Sequence, residues 1–460
     1  MTVETLARLQ FAFTIAFHYI YPPLSIGIGL FLVMLEGIYL KTGDKDYEKL
    51  TKFWVKIFAL TFAIGVATGI VMEFEFGTNW STYSRFVGDV FGSALASEGI
   101  FAFFLESGFL AILVFGWDRV SPKVHFLSTV MVSAGSIFSA VWIVIANSWM
   151  QTPAGYKIVK HGAMARAEIT DFWAMIFNPT SVERLFHTLG GAFMCGSYLI
   201  VSVTAFYLLT NKHVNLAKKS LKIALIYAFS ASMFQLVSGH TAALAVSQFQ
   251  PAKLAAMEAH YETGPASLYL FGWTNSKEKT TIGIAIPKLL SFMVSGNFNT
   301  PIKGMNDIKE DERPPVNFVF QTYHIMIAIG GALIGLSLLA LFMMWKGILF
   351  SNKPMLFLLT LSVLGPQIAN QAGWFTAEVG RQPWIVYGLL KTSEGLSKAV
   401  TANHIIFSMI LFSFVYALLF ALFIFLLNEK IKHGPEDEAH KDDNPTYQSQ
   451  KQLFHQVEEN

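Results

Sequence analysis

Long apolar stretches alternate with short polar connections along nearly the whole chain. A helix that crosses a bilayer needs about 20 mostly apolar residues, and nine stretches reach that length. The pattern therefore predicts an all-α integral membrane protein with about nine transmembrane helices. The predicted spans are 8–40, 53–76, 90–116, 124–147, 183–210, 222–246, 317–345, 355–375 and 402–428.

Lysine and arginine are concentrated in alternate connections. Short cytoplasmic loops carry an excess of these residues, so the pattern predicts an N-terminus outside and a C-terminus in the cytoplasm, which an odd number of spans requires. The basic connections hold Lys41, Lys45, Lys49, Lys52, Arg119, Lys123, Lys212, Lys218, Lys219, Lys222, Lys346, Lys353, Lys430 and Lys432. The longer loops on the predicted outer face are 77–89, 148–182, 247–316 and 376–401.

One membrane domain, residues 1–428, accounts for most of the chain and includes the outer loop 247–316. Its first apolar stretch has no basic region or small-residue cleavage site before it, so we interpret it as a retained span and not as a signal peptide. Residues 429–460 are polar and charged, which predicts a solvated cytoplasmic tail.

The composition agrees with a membrane protein. Hydrophobic residues make up 53% of the chain and charged residues 14%, whereas a soluble domain carries about 25% charged residues. The net charge of +2 gives no indication of nucleic-acid binding. The single Cys195 allows no disulfide within the chain, and no CxxC or CxxCH motif is present for zinc or covalent haem.

Ionisable residues inside a span are costly and therefore indicate function. His187 lies about five residues into its span and Met326 about nine, and both spans start from the predicted outer face. At 1.5 Å per residue the two side chains have similar depths, where they could hold one low-spin haem iron from both sides. The alternatives are a methionine that only fills the core and a histidine that joins two helices by a hydrogen bond.

His18 is followed four residues later by Pro22. A helical proline clashes with the carbonyl group four residues before it, so the helix should kink at His18 and leave room for a bulky ligand. An ordinary proline kink with a structural histidine is the alternative interpretation.

Two pairs of charged residues remain. Glu98 and Glu106 are eight residues apart, about 12 Å along an α-helix and about 80° around it, which suits a proton relay; carboxylates bonded to neighbouring helices are the alternative. Lys253 and Glu258 are expected in a short helical turn of the outer loop above His187 and Met326, where a plain solvated loop is the alternative.

Several motifs resemble one membrane-protein family over nearly the whole chain, namely subunit I of cytochrome bd quinol oxidase. The matching stretches are ARLQFAFTIAFHYIYPPLSIG, EFEFGTNWSTYSRFVGDVFG, EGIFAFFLES, FGWDR, ANSWMQTPAGY, SGHTAAL with QPAKLAA, and GWFTAEVGRQPW, of which the last is the most specific.

The resemblance implies four iron ligands. His187 and Met326 match the axial ligands of a low-spin haem b. His18 and Glu378 match the ligands of two high-spin haems, a haem b and a chlorin-type haem d, and the resemblance does not decide which residue serves which haem.

Further roles follow from the same resemblance. Three residues are implied in catalysis. Glu98 would lie beside the high-spin pair, Glu106 matches a proton-pathway acid, and Arg381 would compensate carboxylate or propionate charge. Lys253 and Glu258 match quinol-binding residues. Positions packed around the haems are matched by Arg8, Trp374 and Trp384.

The implied activity is that of a terminal respiratory quinol:oxygen oxidoreductase in a bacterial inner membrane. Quinol would be oxidised at the outer face, electrons would pass through the low-spin haem to the high-spin pair, and oxygen would be reduced to water with cytoplasmic protons. This sidedness would generate a proton motive force without pumping. The implied partners are a second membrane subunit and, as often in the family, a very small single-span subunit.

Two departures from the family pattern stand out. His324 lies two residues before Met326, where much of the family carries an arginine thought to stabilise the low-spin haem. This pattern resembles the cyanide-insensitive branch, some members of which lack haem d, so a haem b in its place stays open. The loop 247–316 is also short, which leaves ubiquinol or menaquinol undecided.

Two other functions compete with an oxidase. A haem-free secondary transporter also has intramembrane acids and broken helices, but it would show inverted repeats, which we do not find in the sequence. A haem-bearing quinone electron-transfer subunit without oxygen reduction would have no use for Glu378.

Overall fold

Nine long helical segments dominate the computed structural model, which describes residues 1–161 and 164–435. Within this part of the chain, each of the nine is long and apolar enough to cross a membrane, so the predicted fold class and span number are confirmed. The segments are Val3–Thr42, Lys45–Thr78, Gly88–Phe115, Pro122–Gln151, Ser181–Leu209, Val214–Phe249, Glu310–Trp345, Lys353–Val379 and Ala402–His433. Of the predicted tail, residues 436–460 lie outside the described residues.

Breaks divide several segments into separate helices, and shorter helices and strands fill the loops. The α-helices are α1 (Val3–His18), α2 (Tyr21–Thr42), α3 (Lys45–Thr78), α4 (Ser81–Phe86), α5 (Gly88–Ser97), α6 (Phe104–Phe115), α7 (Pro122–Gln151), α8 (Phe172–Ile176), α9 (Ser181–Leu209), α10 (Val214–Phe249), α11 (Pro251–Met257), α12 (Leu289–Ser295), α13 (Val316–Trp345), α14 (Lys353–Leu361), α15 (Leu364–Val379) and α16 (Ala402–His433). The strands are β1 (Tyr156–His161), β2 (Met164–Ile169), β3 (Gly264–Pro265), β4 (Leu268–Asn275), β5 (Thr280–Ile286), β6 (Pro301–Ile302), β7 (Trp384–Val386) and β8 (Leu390–Lys391). A π-helix covers Glu98–Phe103, and 3₁₀ turns cover Met305–Asp307, Glu310–Glu312, Leu349–Ser351 and Thr392–Glu394.

Proline accounts for two of the breaks. The first segment stops at His18 and resumes at Tyr21, because Pro22 has no N–H for the carbonyl group of His18. The sequence predicted this kink. The eighth segment, expected to be continuous, breaks between α14 and α15, and Pro366 likewise lies four residues after Ser362.

Helix α9 forms the centre of the bundle and contacts α2, α7, α10, α14 and α15. Small residues permit its close approach to α2: a Cβ added to Gly27 would lie 2.5 Å from the carbonyl oxygen of Ala192, and one added to Gly196 would lie 2.4 Å from the carbonyl carbon of Gly27. The adjoining core is rich in large side chains, among them Phe31, Trp54, Phe58 and Tyr198. This packing fixes the position of His187, which α9 carries.

The two ends of the bundle differ. We call the end with the basic connections the lysine end; there Lys219 bonds Asp44 and Asp46 at 2.5 and 2.7 Å. The opposite end, called the long-loop end, holds the loops 77–89, 148–182, 247–316 and 376–401. Short antiparallel sheets, which the sequence analysis did not predict, lie in these loops and pair β1 with β2, β3 with β6, β4 with β5 and β7 with β8.

Candidate functional site

His187 faces helix α10. Its Nδ1 lies 3.3 Å from the hydroxyl of Ser238, which donates to the carbonyl oxygen of Gln235 at 3.2 Å. The Gln235 side-chain amide nitrogen also lies against the ring, 3.1 Å from Nδ1 and 3.3 Å from Nε2, so each ring nitrogen has a polar neighbour on α10. Gly239 lies against the ring, since a Cβ there would be 3.3 Å from Cε1. The ring of His187 is thus held by Ser238 and Gln235 of α10.

Met326 packs against α15, where Gly373 makes room for it. A Cβ added to Gly373 would lie 2.7 Å from the Met326 sulfur. One turn away on α15, Asn370 lies against Gly191 of α9. His187 precedes Gly191 by four residues, which is about 6 Å along α9 at 1.5 Å per residue. Gly373, which contacts Met326, follows Asn370 by three residues, which is about 4.5 Å along α15. Both displacements run towards the long-loop end. The two side chains therefore share one depth to within about 2 Å.

His18 is the last residue of α1 and faces α3. Its Nδ1 lies 2.9 Å from the hydroxyl of Thr68, which bonds the backbone carbonyl oxygen of Ile64 at 2.9 Å. Because the single hydroxyl proton is used there, Nδ1 donates and Nε2 keeps its electron pair. Gly69 presents no side chain to the ring. This histidine thus has one nitrogen oriented and the other available to iron.

Glu378 ends α15 at the long-loop end and is held by three neighbours. Its Oε1 accepts from Asn147 at 3.0 Å and from Gln151 at 3.3 Å, and its Oε2 accepts from Arg381. Asn147 in turn accepts from Arg184 of α9. A carboxylate is thus fixed in a buried setting with an excess of positive charge.

The buried guanidinium groups leave donors without protein acceptors. Among the described residues, Nε and Nη1 of Arg381 and Nε of Arg184 are buried and have no hydrogen-bond partner. Orphaned cationic donors are rare because their burial is costly, and carboxylates such as haem propionates match the geometry of guanidinium. Together with the two oriented histidines, Met326, Glu378 and the small residues beside them, these donors fit haem groups.

Lys253 lies in α11 and is only 2% exposed, so the loop around it is not a plain solvated one. Its Nζ donates to Gln151 Oε1 and Gln250 Oε1, each at 2.6 Å. Burial, reinforced by the nearby charges of Arg184 and Arg381, holds the pKa of Lys253 well below its usual range. The lysine is thus joined through Gln151 to Glu378.

Glu258 follows α11 and is 1% exposed. Its Oε2 accepts from the backbone N–H of Tyr269 at 3.3 Å, whereas its buried Oε1 has no partner in the described structure. Burial raises the pKa of Glu258 to about 8. Lys253 and Glu258 therefore have separate partners. The Tyr323 side chain also faces Glu258, and Oε1 is the carboxyl oxygen left for a ligand.

His324 is buried between α13 and strand β4. Its Nδ1 lies 2.8 Å from the carbonyl oxygen of Phe320, and its Nε2 lies 3.0 Å from that of Tyr269. The structure thus places His324 against the loop that carries Glu258.

Glu98 and Glu106 both face α7. Glu98 accepts from Ser139 at 2.5 Å, and a Cβ on Gly135 would lie 2.4 Å from Cγ of Glu106. The 80° offset expected between them is wrong, because Glu98–Phe103 forms a π-helix. Its wider turns rotate less per residue than an α-helix, which brings both carboxylates to one neighbouring helix.

The remaining predicted site residues lie at the long-loop end. Arg8 is partly exposed and lies 3.9 Å from Glu4. Trp374 packs against Phe375 with the two rings tilted and their centroids 5.0 Å apart. Trp384 begins β7 and has the ammonium of Lys391 5.6 Å from its ring centroid. Within the part of the chain that the structure describes, these three residues lie outside the hydrogen-bond network around Glu378.

Sequence reasoning missed several residues that the network requires: Asn147, Gln151, Arg184, Gln235 and Gln250. Four of the five are neutral amides, and three of these, Asn147, Gln151 and Gln250, lie at span ends, where a polar residue costs little and draws no notice. A signal was present, since Asn147 and Gln151 lie in ANSWMQTPAGY and Gln250 immediately precedes PAKLAA.

Comparisons with known proteins identify the family of the chain. Residues 6–435 match the family Cytochrome bd terminal oxidase subunit I. The chain is 40% identical to cytochrome bd ubiquinol oxidase subunit 1 of Bacillus subtilis, with 96% of each chain covered. It is 33% identical to cytochrome bd-II ubiquinol oxidase subunit 1 of Escherichia coli, with 97% of this chain and 99% of the relative covered.

Another relative differs in the quinol that it is named for. A putative cytochrome bd menaquinol oxidase subunit I of Bacillus subtilis is 33% identical, with 94% of this chain and 97% of the relative covered. Among solved structures, the bd oxidase from Geobacillus thermodenitrificans matches with a TM-score of 0.87 and 30% identity, covering 94% of this chain and 99% of that chain.

Proposed function

Because the chain belongs to the cytochrome bd terminal oxidase subunit I family, we propose that its long-loop end oxidises quinol and that its carboxylates deliver protons from the lysine end for the reduction of oxygen. The family makes the chain an oxidoreductase of the terminal quinol oxidase type, with haem cofactors and a second subunit. A haem-free transporter therefore loses its support.

Four side chains would hold the haem irons: His187 with Met326 for a low-spin haem b, and His18 and Glu378 for the high-spin pair. Arg184 and Arg381 would bind carboxylates of these groups through their unpaired donors. When bound, the haems supply the iron centres that take electrons from quinol and reduce oxygen.

The quinol side rests on Glu258 and Lys253. Glu258 has one buried oxygen without a partner and a pKa of about 8, so it can accept a hydrogen bond, and then a proton, from a quinol hydroxyl. Lys253 can donate to the other quinol oxygen. Because both residues belong to the loop, the released protons would leave at the long-loop end.

The proton side rests on a row of side chains along α7. Thr129 bonds Glu36 of α2 at 2.5 Å, Ser133 and Ser136 follow on the same helix face, and Ser139 bonds Glu98. Glu106 contacts this row at Gly135. The row runs about 15 Å from the lysine end towards the middle of the span, which is the direction that proton uptake requires.

The observation that carries the proposal is the buried connection from Lys253 through Gln151 to Glu378. It joins the candidate quinol loop to a candidate iron ligand with no solvated gap between them. A transporter or a loop that only caps the bundle would need no such connection.

Oxygen uptake by the oxidase purified with its second subunit tests the proposal. With a short-chain ubiquinol or menaquinol as donor, Lys253→Met and Glu258→Gln should each lower kcat/KM at least about tenfold, as expected when a buried hydrogen-bond partner is lost. Their dithionite-reduced spectra should retain all haem bands. Lys288→Met, at an exposed lysine of the same loop, is the control and should behave like the wild type. Unaltered quinol kinetics in both site variants would refute the quinol assignment.

The cellular setting is also proposed. The chain is a multi-span membrane protein of a bacterial respiratory oxidase, and the basic connections favour an inner-membrane orientation with the lysine end in the cytoplasm. The resulting sidedness would generate a proton motive force without pumping. A small single-span subunit is a further proposed partner.

A further inference from the structure

Strand β4 of the loop lies along the outer turns of α13. Three polar side chains of the helix face backbone carbonyl groups of the strand. Asn317 donates to Thr274 and Gln321 donates to Gly272 at 2.9 Å, and Nε2 of His324, which donates when it carries the ring proton, lies 3.0 Å from the carbonyl oxygen of Tyr269. The three side chains are spaced by four and three residues, so they occupy one helix face. We call this set of three contacts the α13–β4 clamp.

A bulge in strand β4 orients the Tyr269 carbonyl group for the third contact, the one with His324. Carbonyl groups two residues apart point to the same side of a strand, which suits Thr274 and Gly272 but not Tyr269. The pairing with β5 shifts register between Tyr269 and Phe271, and the extra residue Leu270 reverses the alternation. The bulge therefore turns the Tyr269 carbonyl group towards His324, as bulges do where a group must be aimed.

Close packing supports the same contact. The rings of Phe320 and His324 stack with centroids 3.9 Å apart, and Tyr269 meets Phe320 edge to face at 5.7 Å. Gly272 lets the strand approach, since a Cβ there would lie 3.4 Å from the Phe320 ring. His324 is 5% exposed, so its bonds are shielded from water.

Tyr269 connects this clamp to the quinol site. Its carbonyl group faces His324, and its own N–H donates to Glu258 Oε2 at 3.3 Å. One loop residue therefore links His324 to the acid proposed to receive the quinol proton, and Tyr323 of the same helix also faces that acid. Both ring nitrogens of His324 face carbonyl oxygens, an arrangement that differs from a cation directed at a haem.

We propose that His324 is a positioning residue of the quinol site, which fixes strand β4 on α13 and through Tyr269 holds the Glu258 carboxyl group in place for quinol. This inference rests on the proposed function and deepens it. It gives His324 a role in quinol binding, separate from the haem-stabilising role of the arginine that much of the family carries there.

The test compares two electron donors in the complete oxidase. A short-chain quinol uses the loop, whereas N,N,N′,N′-tetramethyl-p-phenylenediamine with ascorbate reduces the haems without a quinol proton transfer. His324→Leu should raise the quinol KM about tenfold, which corresponds to one lost hydrogen bond, and leave the rate with the artificial donor and the midpoint potential of the low-spin haem unchanged. His324→Gln, which keeps a donor, should recover most of the loss.

Gln321→Leu carries the same test at a second position, five residues from Met326, and should give the same KM effect. Ile325→Ala, at an exposed neighbour of His324, is the control and should match the wild type. A shifted haem potential with an unchanged quinol KM in His324→Leu would overturn the proposal in favour of an arginine-like role. A wild-type enzyme that oxidises no quinol would overturn the proposed function itself, which is a separate outcome.

Discussion

Lys253 and Glu378 are two hydrogen bonds apart, although 125 residues separate them in the sequence. The Gln151 side chain joins them, with its Oε1 2.6 Å from the lysine Nζ and its Nε2 3.3 Å from Glu378 Oε1. The ends of α7 and α15 thus meet the loop helix α11 at one buried point. A substitution at Gln151 should therefore alter both the oxidation of quinol and the spectrum of the haem that Glu378 would hold.

Gln151→Leu tests this connection. The substitution removes an acceptor from buried Lys253 and a donor from Glu378, at a cost of about 1–3 kcal/mol for each unsatisfied group. We expect quinol kcat/KM to fall about 10- to 100-fold and the high-spin haem bands to change. Gln250→Leu is the matched comparison. Gln250 bonds Lys253 and Gln151 Oε1 but, within the described part of the chain, makes no hydrogen bond to Glu378, so this variant should impair quinol oxidation and leave those bands intact. Identical spectra in both variants would contradict the connection.

The pH dependence of quinol oxidation should report on Glu258. Its pKa of about 8 means that the carboxylate form, which accepts the quinol proton, increases as pH rises towards 8. We expect kcat/KM to rise over that interval, and Glu258→Gln to abolish the rise. Glu262→Gln, at an exposed neighbour, should retain it. A profile that is the same in all three proteins would show that another group controls the rate.

Glu258 should also affect stability. Its folded-state pKa exceeds the ordinary value of 4.5, so the folded protein holds a proton that the unfolded chain releases between pH 4.5 and about 8. By linkage, the free energy of unfolding should decrease as pH rises through this interval and level off above it. Thermal unfolding of the wild type should show this slope, and that of Glu258→Gln should show a smaller one.

The Glu106 position depends on the absence of a side chain at residue 135. Gly135→Ala would place a Cβ 2.4 Å from Cγ of Glu106, and overpacking of this kind costs about 1–3 kcal/mol. We expect slower oxygen reduction with an unchanged quinol KM, because the displaced carboxylate would interrupt proton delivery. Gly108→Ala, where no atom lies within 4 Å, is the control on the adjacent helix. Equal turnover in both variants would argue against a proton role for Glu106.

Gly373 provides a similar test of Met326. A Cβ at this position would lie 2.7 Å from the methionine sulfur, so Gly373→Ala should displace Met326 and weaken or remove the low-spin haem signal. Gly331→Ala on α13 meets open space and should keep the signal. Reduced-minus-oxidised spectra of the two purified variants decide between these outcomes.

The helices and the break at His18 could be predicted because length, apolarity and proline leave a direct mark on the sequence. The π-helix at Glu98 could not, since one wider turn changes no hydrophobic period. The β4–β5 hairpin has the β-branched and aromatic residues typical of strands, but polarity alone does not distinguish it from a solvated loop. The depth of His187 and Met326 followed from counting residues, whereas Arg184 and Gln151 lie at span ends, where polar residues are ordinary.

The central claim is that His187 and Met326 hold one low-spin haem while His18 and Glu378 serve the high-spin pair. The most direct measurement is the dithionite-reduced minus air-oxidised spectrum of the complete oxidase, recorded with acid extraction of the haems for the wild type, His187→Leu and Met326→Leu. We expect a low-spin haem b band in the wild type, its loss in both variants, and retention of the high-spin bands. An assembled wild-type protein without haem, or a low-spin band that survives in both variants, would contradict this claim.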